Sequence, residues 1–256
     1  NLYSASAAGR YAINGNFDIT LNLDHAERSP VEEELYSDGL HAATAAYEIG
    51  DPGLVKENAK QIELGVHVHS ERFEAKVAVY RNSIDDFIYL SDTGLFFDDD
   101  GELLPIRQWT QSDATFKGYE AELTVKLGGV DYDSDLRFFI DGVQAEKSDG
   151  ENLPRIPASR FGAEWTWNVS GWSGGLSLIR TNAQNDTASY ETPTDDYTLV
   201  NANINYLFHD GDSSSWEAFL QGTNLGNQEA YAATSAIKDL VPLPGRNIFA
   251  GIRVYF

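Results

Sequence analysis

The sequence predicts an all-β protein, an antiparallel transmembrane β-barrel with about eleven strands in the chain. Three observations predict it. Apolar and polar residues alternate with period two along most of the chain. The connections sort by length, short on one side and long on the other. Aromatic residues make up 12% of a chain whose net charge is −22.

The period-two segments justify the strands in order. Phe17, Ile19, Leu21 and Leu23 share one face against Asp18, Thr20, Asn22 and Asp24. Ile62, Leu64, Val66 and Val68 oppose Glu63, Gly65, His67 and His69, and Phe73, Ala75, Val77 and Val79 oppose Glu74 and Lys76. Tyr119, Ala121, Leu123, Val125 and Leu127 oppose Glu120, Glu122, Thr124 and Lys126. Val200, Ala202, Ile204, Tyr206 and Phe208 oppose Asn201, Asn203 and Asn205, and Ile248, Ala250, Ile252, Val254 and Phe256 close the chain. The pattern predicts strands over about 3–13, 17–27, 60–71, 73–90, 107–127, 131–146, 156–168, 172–183, 197–208, 215–225 and 246–256, and no helix.

The connections at 14–16, 70–72, 128–130, 170–171 and 209–213 are short, whereas 28–59, 91–106, 147–155, 184–196 and 226–245 are long and several are acidic. A soluble sandwich has no reason to sort its loops this way, whereas an outer-membrane barrel does. Phe17, Phe73, Tyr132, Trp167, Trp172, Phe208 and Trp216 flank the short turns, where they would form a girdle at one membrane interface.

Composition narrows the function. The 256 residues hold 18 Lys and Arg against 40 Asp and Glu, and neither Cys nor Met. That acidity argues against a nucleic-acid partner, which needs a basic face. The lack of Cys removes disulfide scaffolds, thiolate metal sites and thiol catalysis. No apolar run reaches the ~18 residues of a membrane helix. The absent Met suggests a processed product or a fragment, and any export signal would lie upstream. Catalytic motifs are missing, so no enzyme is expected. An odd number of antiparallel strands cannot close neatly, and open edges in lipid are costly. The reading therefore expects further strands before residue 1 or a pairing partner. Eleven is half of the about 22 strands of the large plugged outer-membrane transporters.

Several segments resemble TonB-dependent receptors: Pro242–Phe256 (PLPGRNIFAGIRVYF), Gln221–Tyr231 (QGTNLGNQEAY), Leu153–Gly162 (LPRIPASRFG), Glu191–Tyr206 (ETPTDDYTLVNANINY) and Phe116–Leu123 (FKGYEAEL). Glu27–Asn58 is similar to a loop of the zinc-regulated (Znu-type) subfamily, in which a G-x-H-x-A-T stretch precedes an aromatic-Glu-x-Gly-Asp turn. Leu104–Leu123 and Lys238–Arg246 lean the same way. The resemblance implies that residues 1–256 form the C-terminal part of a barrel, with the plug domain and N-terminal strands outside this chain. It implies uptake of a scarce metal, zinc foremost, or of a metal chelate. The location would be the outer membrane of a Gram-negative bacterium. The implied partners are outer-membrane lipid and lipopolysaccharide, the barrel-assembly machinery, and the TonB complex acting through the plug. No cofactor is required, though zinc or another divalent cation is expected at the extracellular loops.

His41 is the leading ligand candidate, because it stands in the long loop 28–59 at the histidine of G-x-H-x-A-T and imidazole suits zinc, copper or nickel. Glu48 and Asp51 are the expected carboxylate ligands beside it, and Glu32, Glu33, Glu34 and Asp38 are near in sequence. The ordinary alternative is a loop histidine that packs or hydrogen-bonds. His67 and His69 share a lumenal face about 7 Å apart, and hydrogen bonding there is favoured over chelation. The acidic run Asp98–Asp100 with Glu102 lacks calcium-loop spacing. Phe256, with Val254 and Ile252, resembles the terminal assembly signal of outer-membrane barrels. Two rival readings stand beside this one. A siderophore, haem or vitamin receptor of the same fold would not need His41, and a soluble β-sandwich binding module would stay in solution without detergent.

Overall fold

Alternate side chains of a strand point to opposite faces, and here the apolar face is the exposed one. A computed structural model describes residues 1–210 and 214–256. Leu21, Leu23, Ile62, Leu64, Val77, Val79, Phe138, Ile140, Leu176, Leu178 and Ile252 are all exposed. Among the described residues ten apolar side chains are buried, six of them alanine. The described residues form a single sheet, with no dry core between two sheets, which is not the architecture of a sandwich. Such an outward greasy wall is stable only against hydrocarbon.

One 13-stranded sheet contains β1 (Ser4–Asn14), β2 (Phe17–Arg28), β3 (Asp38–His41), β4 (Ala46–Ile49), β5 (Glu57–His69), β6 (Phe73–Asp99) and β7 (Glu102–Lys126). It continues through β8 (Tyr132–Lys147), β9 (Arg160–Val169), β10 (Trp172–Thr181), β11 (Tyr197–Asp210), β12 (Ser215–Thr223) and β13 (Asn247–Tyr255). Eleven strands follow one another as antiparallel neighbours from β1 to β13, with β3 and β4 off that path. The eleven expected strands are therefore the eleven on the main path. The sheet is open, with β1 and β13 at its edges.

The lumenal face carries ion pairs across neighbouring strands. Arg137 bonds Glu122 at 2.6 Å and Glu164 at 2.8 Å, Lys126 bonds Glu74 at 2.9 Å, and Arg253 bonds Glu217 at 2.8 Å. At the short-turn end, Trp172 stacks on Tyr206 with ring centres 4.4 Å apart, and Phe208 lies 6.3 Å from Trp216. Of the seven aromatics expected beside the short turns, Trp172, Phe208 and Trp216 make such contacts between neighbouring strands. Of the turn expected at 209–213, residues 211–213 lie outside the described residues.

Three expectations need correction. First, 91–106 is no loop: β6 runs 27 residues and β7 25, paired up to Asp99 opposite Glu102. A membrane strand needs only about 9–11 residues, so both arms rise well beyond it. Gly101, with φ +95, makes the tip, and its N–H donates to Asp98. Second, the segment 28–59 contains a one-turn helix, α1 (Glu32–Tyr36), and the β3–β4 hairpin. Three glutamates in that turn are stabilised by the positive end of the helix. Third, the sheet is not wholly antiparallel, because β4 runs parallel to β7 with Tyr47 opposite Ile106 and Ile49 opposite Gln108.

Candidate functional site

The long connections gather at one end of the sheet. The first, residues 29–56, is anchored at its root by Arg28. Its guanidinium donates to both oxygens of Glu57, 2.7 Å each, and to Glu34 at 2.9 Å. Glu57 also accepts the Ile88 N–H at 2.7 Å, and Glu34 accepts the Val31 N–H at 2.9 Å. Both carboxylates are buried, a placement that is favourable only when charges and lone pairs are met. From this root the β3–β4 hairpin leans on the β6–β7 arm, where Tyr47 stacks on Phe97 at 4.6 Å and donates its hydroxyl to Asp38 at 2.7 Å. That bond, with partial burial, raises the Tyr47 phenol above its usual range.

The hairpin brings His41 and Glu48 together. His41 Nδ1 lies 3.1 Å from Glu48 Oε1, to which the Thr44 hydroxyl donates at 2.6 Å. Glu48 is 4% exposed, whereas the imidazole is largely in solvent. Ala45, with φ +46, makes the turn that folds β4 back on β3. A cavity of about 720 Å³ opens beside this pair, lined also by Leu40, Leu90, Trp109, Arg155 and Ala236. The Trp109 indole N–H is buried there without an acceptor. This open, mixed apolar and polar cleft has the size of a small-molecule site.

Asp51 does not join the pair. Its carboxylate accepts the Gly53 N–H at 2.7 Å, capping a local turn beyond α1. Among the described residues no group of three or more His, Asp or Glu is arranged to hold a metal ion. His67 and His69 meet Asp18 at the short-turn end: His69 Nδ1 is 3.8 Å from it, and Nε2 lies 3.0 Å from the Gly15 carbonyl. Arg10 binds the same carboxylate at 2.6 Å. Asp98–Asp100 sit at the exposed hairpin tip.

Spacing gave no hint of the centre of the cap. Glu191 accepts the Arg155 N–H at 3.0 Å and the Ala188 N–H at 3.3 Å, with the Lys238 ammonium 3.9 Å away. Lys238 is 4% exposed. Tyr190 donates to the Leu90 carbonyl at 2.7 Å while Arg107 covers its ring at 5.5 Å. Burial, reinforced by Glu191, pushes the Tyr190 phenol up to about 12. Asn224 roots the last loop: its amide donates to the Gln228 and Pro244 carbonyls at 2.8 and 3.1 Å. Four segments far apart in sequence thus form one cross-linked cap.

An open sheet with a greasy outside, a charged inside, short turns at one end and interlocked loops at the other defines an outer-membrane type of β-barrel wall. The chain belongs to the TonB dependent receptor-like β-barrel family, whose profile matches residues 1–225. It is 26% identical over 213 residues to a vitamin B12 transporter, BtuB, of Vibrio vulnificus strain YJ016, a match covering 81% of this chain and 31% of that protein. Two solved structures show the same fold. The copper transporter OprC superposes with a TM-score of 0.77 at 19% identity, over 99% of this chain and 39% of its own. The siderophore receptor PirA from Acinetobacter baumannii gives 0.68 at 16% identity, over 98% of this chain and 40% of its own. The chain spans less than half the length of each. No helix among the described residues is long and apolar enough to cross a membrane, which bears on helices alone.

Proposed function

We propose that this chain forms the C-terminal half of the barrel of a TonB-dependent outer-membrane receptor that takes up a scarce metal, zinc foremost, or a metal chelate. The observation that carries the cargo reading is the His41–Glu48 pair, 3.1 Å apart beside the cavity of about 720 Å³. One imidazole and one carboxylate suit zinc but fill only half of its usual four positions. The remaining ligands would come from water or from a chelator carried with the ion. The cavity supports the chelate form, because a bare ion needs far less room. The plug would transmit the pull of the TonB complex from outside this chain, and Phe256, with Val254 and Ile252, would present the assembly signal.

The test compares zinc and ferric-siderophore uptake by the full-length receptor and its His41→Ala variant in cells. Selective loss of zinc uptake supports the reading, and unchanged zinc uptake sinks it. The second reading, a siderophore, haem or vitamin receptor, draws on the unpartnered Trp109 N–H and on Arg155 in the cavity wall. It predicts that His41→Ala leaves uptake intact while Trp109→Phe weakens it.

A further inference from the structure

The cleft beside His41 has two unlike walls. On the hairpin side stand His41, Glu48 and Asp38, and on the far side stand Trp109 and Arg155. Beyond them opens a recess of about 30 Å³, which shares Leu90, Arg155 and Ala236 with the cleft and is lined also by Arg107 and Lys238. Arg107 and Trp109 lie two apart on β7 and so share a face.

These four side chains are donors without acceptors. Trp109 Nε1 and Arg107 Nε are buried and unbonded. Lys238 is 4% exposed, and its ammonium has only Glu191, at 3.9 Å, beyond hydrogen-bond reach. The Arg155 guanidinium has no hydrogen bond or ion pair among the described residues. Its backbone is held in the left-handed region, φ +59, by Glu191 accepting the N–H at 3.0 and 3.1 Å. Such strain in a non-glycine residue persists only where its surroundings enforce it. Three cations in the recess meet two carboxylates, Glu191 and Asp239. Glu191 is engaged by backbone amides, and Asp239 accepts the Thr192 hydroxyl at 2.5 Å. Buried donors left unmet are costly, and here they gather at one point in a chain where acids outnumber bases 40 to 18.

We propose that the substrate is bipolar: a metal chelate carrying a free carboxylate arm, with the metal at His41 and Glu48 and the arm in the recess among Arg107, Arg155 and Lys238. The inference rests on the reading of His41 and Glu48 as the metal end. A carboxylate is the fitting group because it accepts from a guanidinium fork and an ammonium at once. Size agrees with charge. At about 10–15 Å³ for each water-sized group, the recess takes about two, which suits the two oxygens of a carboxylate and excludes a catechol ring. The acids of the hairpin wall repel an anion, so the chelate enters in one orientation.

The test uses the full-length receptor in detergent, with affinity read by calorimetry. The probes are two zinc complexes of iminodiacetate, one bearing a butanoate arm and the other the matching butanamide arm. Wild type should bind the butanoate complex about tenfold more tightly, as one charge-assisted contact in place of a neutral one predicts. Arg155→Gln strands no partner, and it should bring the two complexes to equal affinity. Lys238→Met is the second variant, with the same expectation. A preference that persists undiminished in both variants overturns the proposal, as does failure of wild type to bind either complex. His41→Ala separates the remaining failures. If wild type binds both complexes equally and His41→Ala loses both, the carboxylate end is overturned and the metal end stands. If His41→Ala binds both as wild type does, the metal end falls and the bipolar substrate with it.

Discussion

Arg28 closes on Glu57 through two hydrogen bonds of 2.7 Å, one from Nε and one from Nη2, while Nη1 reaches Glu34. This fork fixes where the first long loop leaves the barrel. Arg28→Met strands two buried carboxylates. Removing one partner of a fully buried pair costs about 3–5 kcal/mol. The guanidinium is half-exposed, so we expect about 2 kcal/mol, confined to the loop. Limited proteolysis should cut within 29–56 in the variant while β5 and β6 stay protected. An unchanged cleavage pattern would show that the loop is held elsewhere.

Tyr190 gives the cap an alkaline limit. Its phenol is pushed up to about 12, so folding favours the neutral form. The stabilisation is complete below the ordinary tyrosine value near 10 and is lost as pH rises through about 12. The linked energy is about 2–3 kcal/mol. Hydrogen exchange of the loop amides should accelerate between about pH 10 and 12. Tyr190→Phe keeps the ring beneath Arg107 but loses the bond to Leu90, and it should erase that step. A step surviving in Tyr190→Phe would assign it to another group.

Asn224 combines a left-handed backbone, φ +46, with side-chain bonds to both ends of its loop. Asn224→Ala loses the bonds and strains the backbone, at about 2–4 kcal/mol in all. Asn224→Gly relieves the strain alone and should recover about 1 kcal/mol of it. Thermal melts of the detergent-solubilised receptor rank the three proteins, and equal melting of the Ala and Gly variants would remove the strain component.

If Phe256 carries the proposed assembly signal, its deletion leaves the full-length receptor poorly assembled, with little change in any loop. The side chain is fully exposed, one step beyond Val254 on the outward ladder of β13. Heat-modifiable mobility on gels reads the outcome, and normal mobility of the deletion counts against an assembly role.

The membrane-facing strands were legible because lipid demands alternation along each of them, as in Ile248 to Val254. Above the membrane that demand ends. The stretch Ser91–Asp100 carries Gly94 and three consecutive aspartates, and it reads as a loop although all of it but Asp100 belongs to β6. α1 escaped notice because one helical turn has no period to detect. His41 and Glu48 could be named from a short motif, since seven residues bridged by a hairpin bring them together. Asp51 could not be excluded that way, because its own turn claims the carboxylate. Glu191 is bonded across 36 residues to Arg155, and Tyr190 across 100 to Leu90. Pairings at that range leave no trace in spacing.

The parallel rungs between β4 and β7 have a mechanical consequence. They tie the strand bearing Glu48 to an arm rooted deep in the barrel, at a register set by Tyr47 opposite Ile106. Any swing of the β3–β4 hairpin must drag that arm with it or shear all the rungs together. A load on the hairpin is therefore passed to the β6–β7 arm, whose pairing is irregular between Ile84 and Phe87.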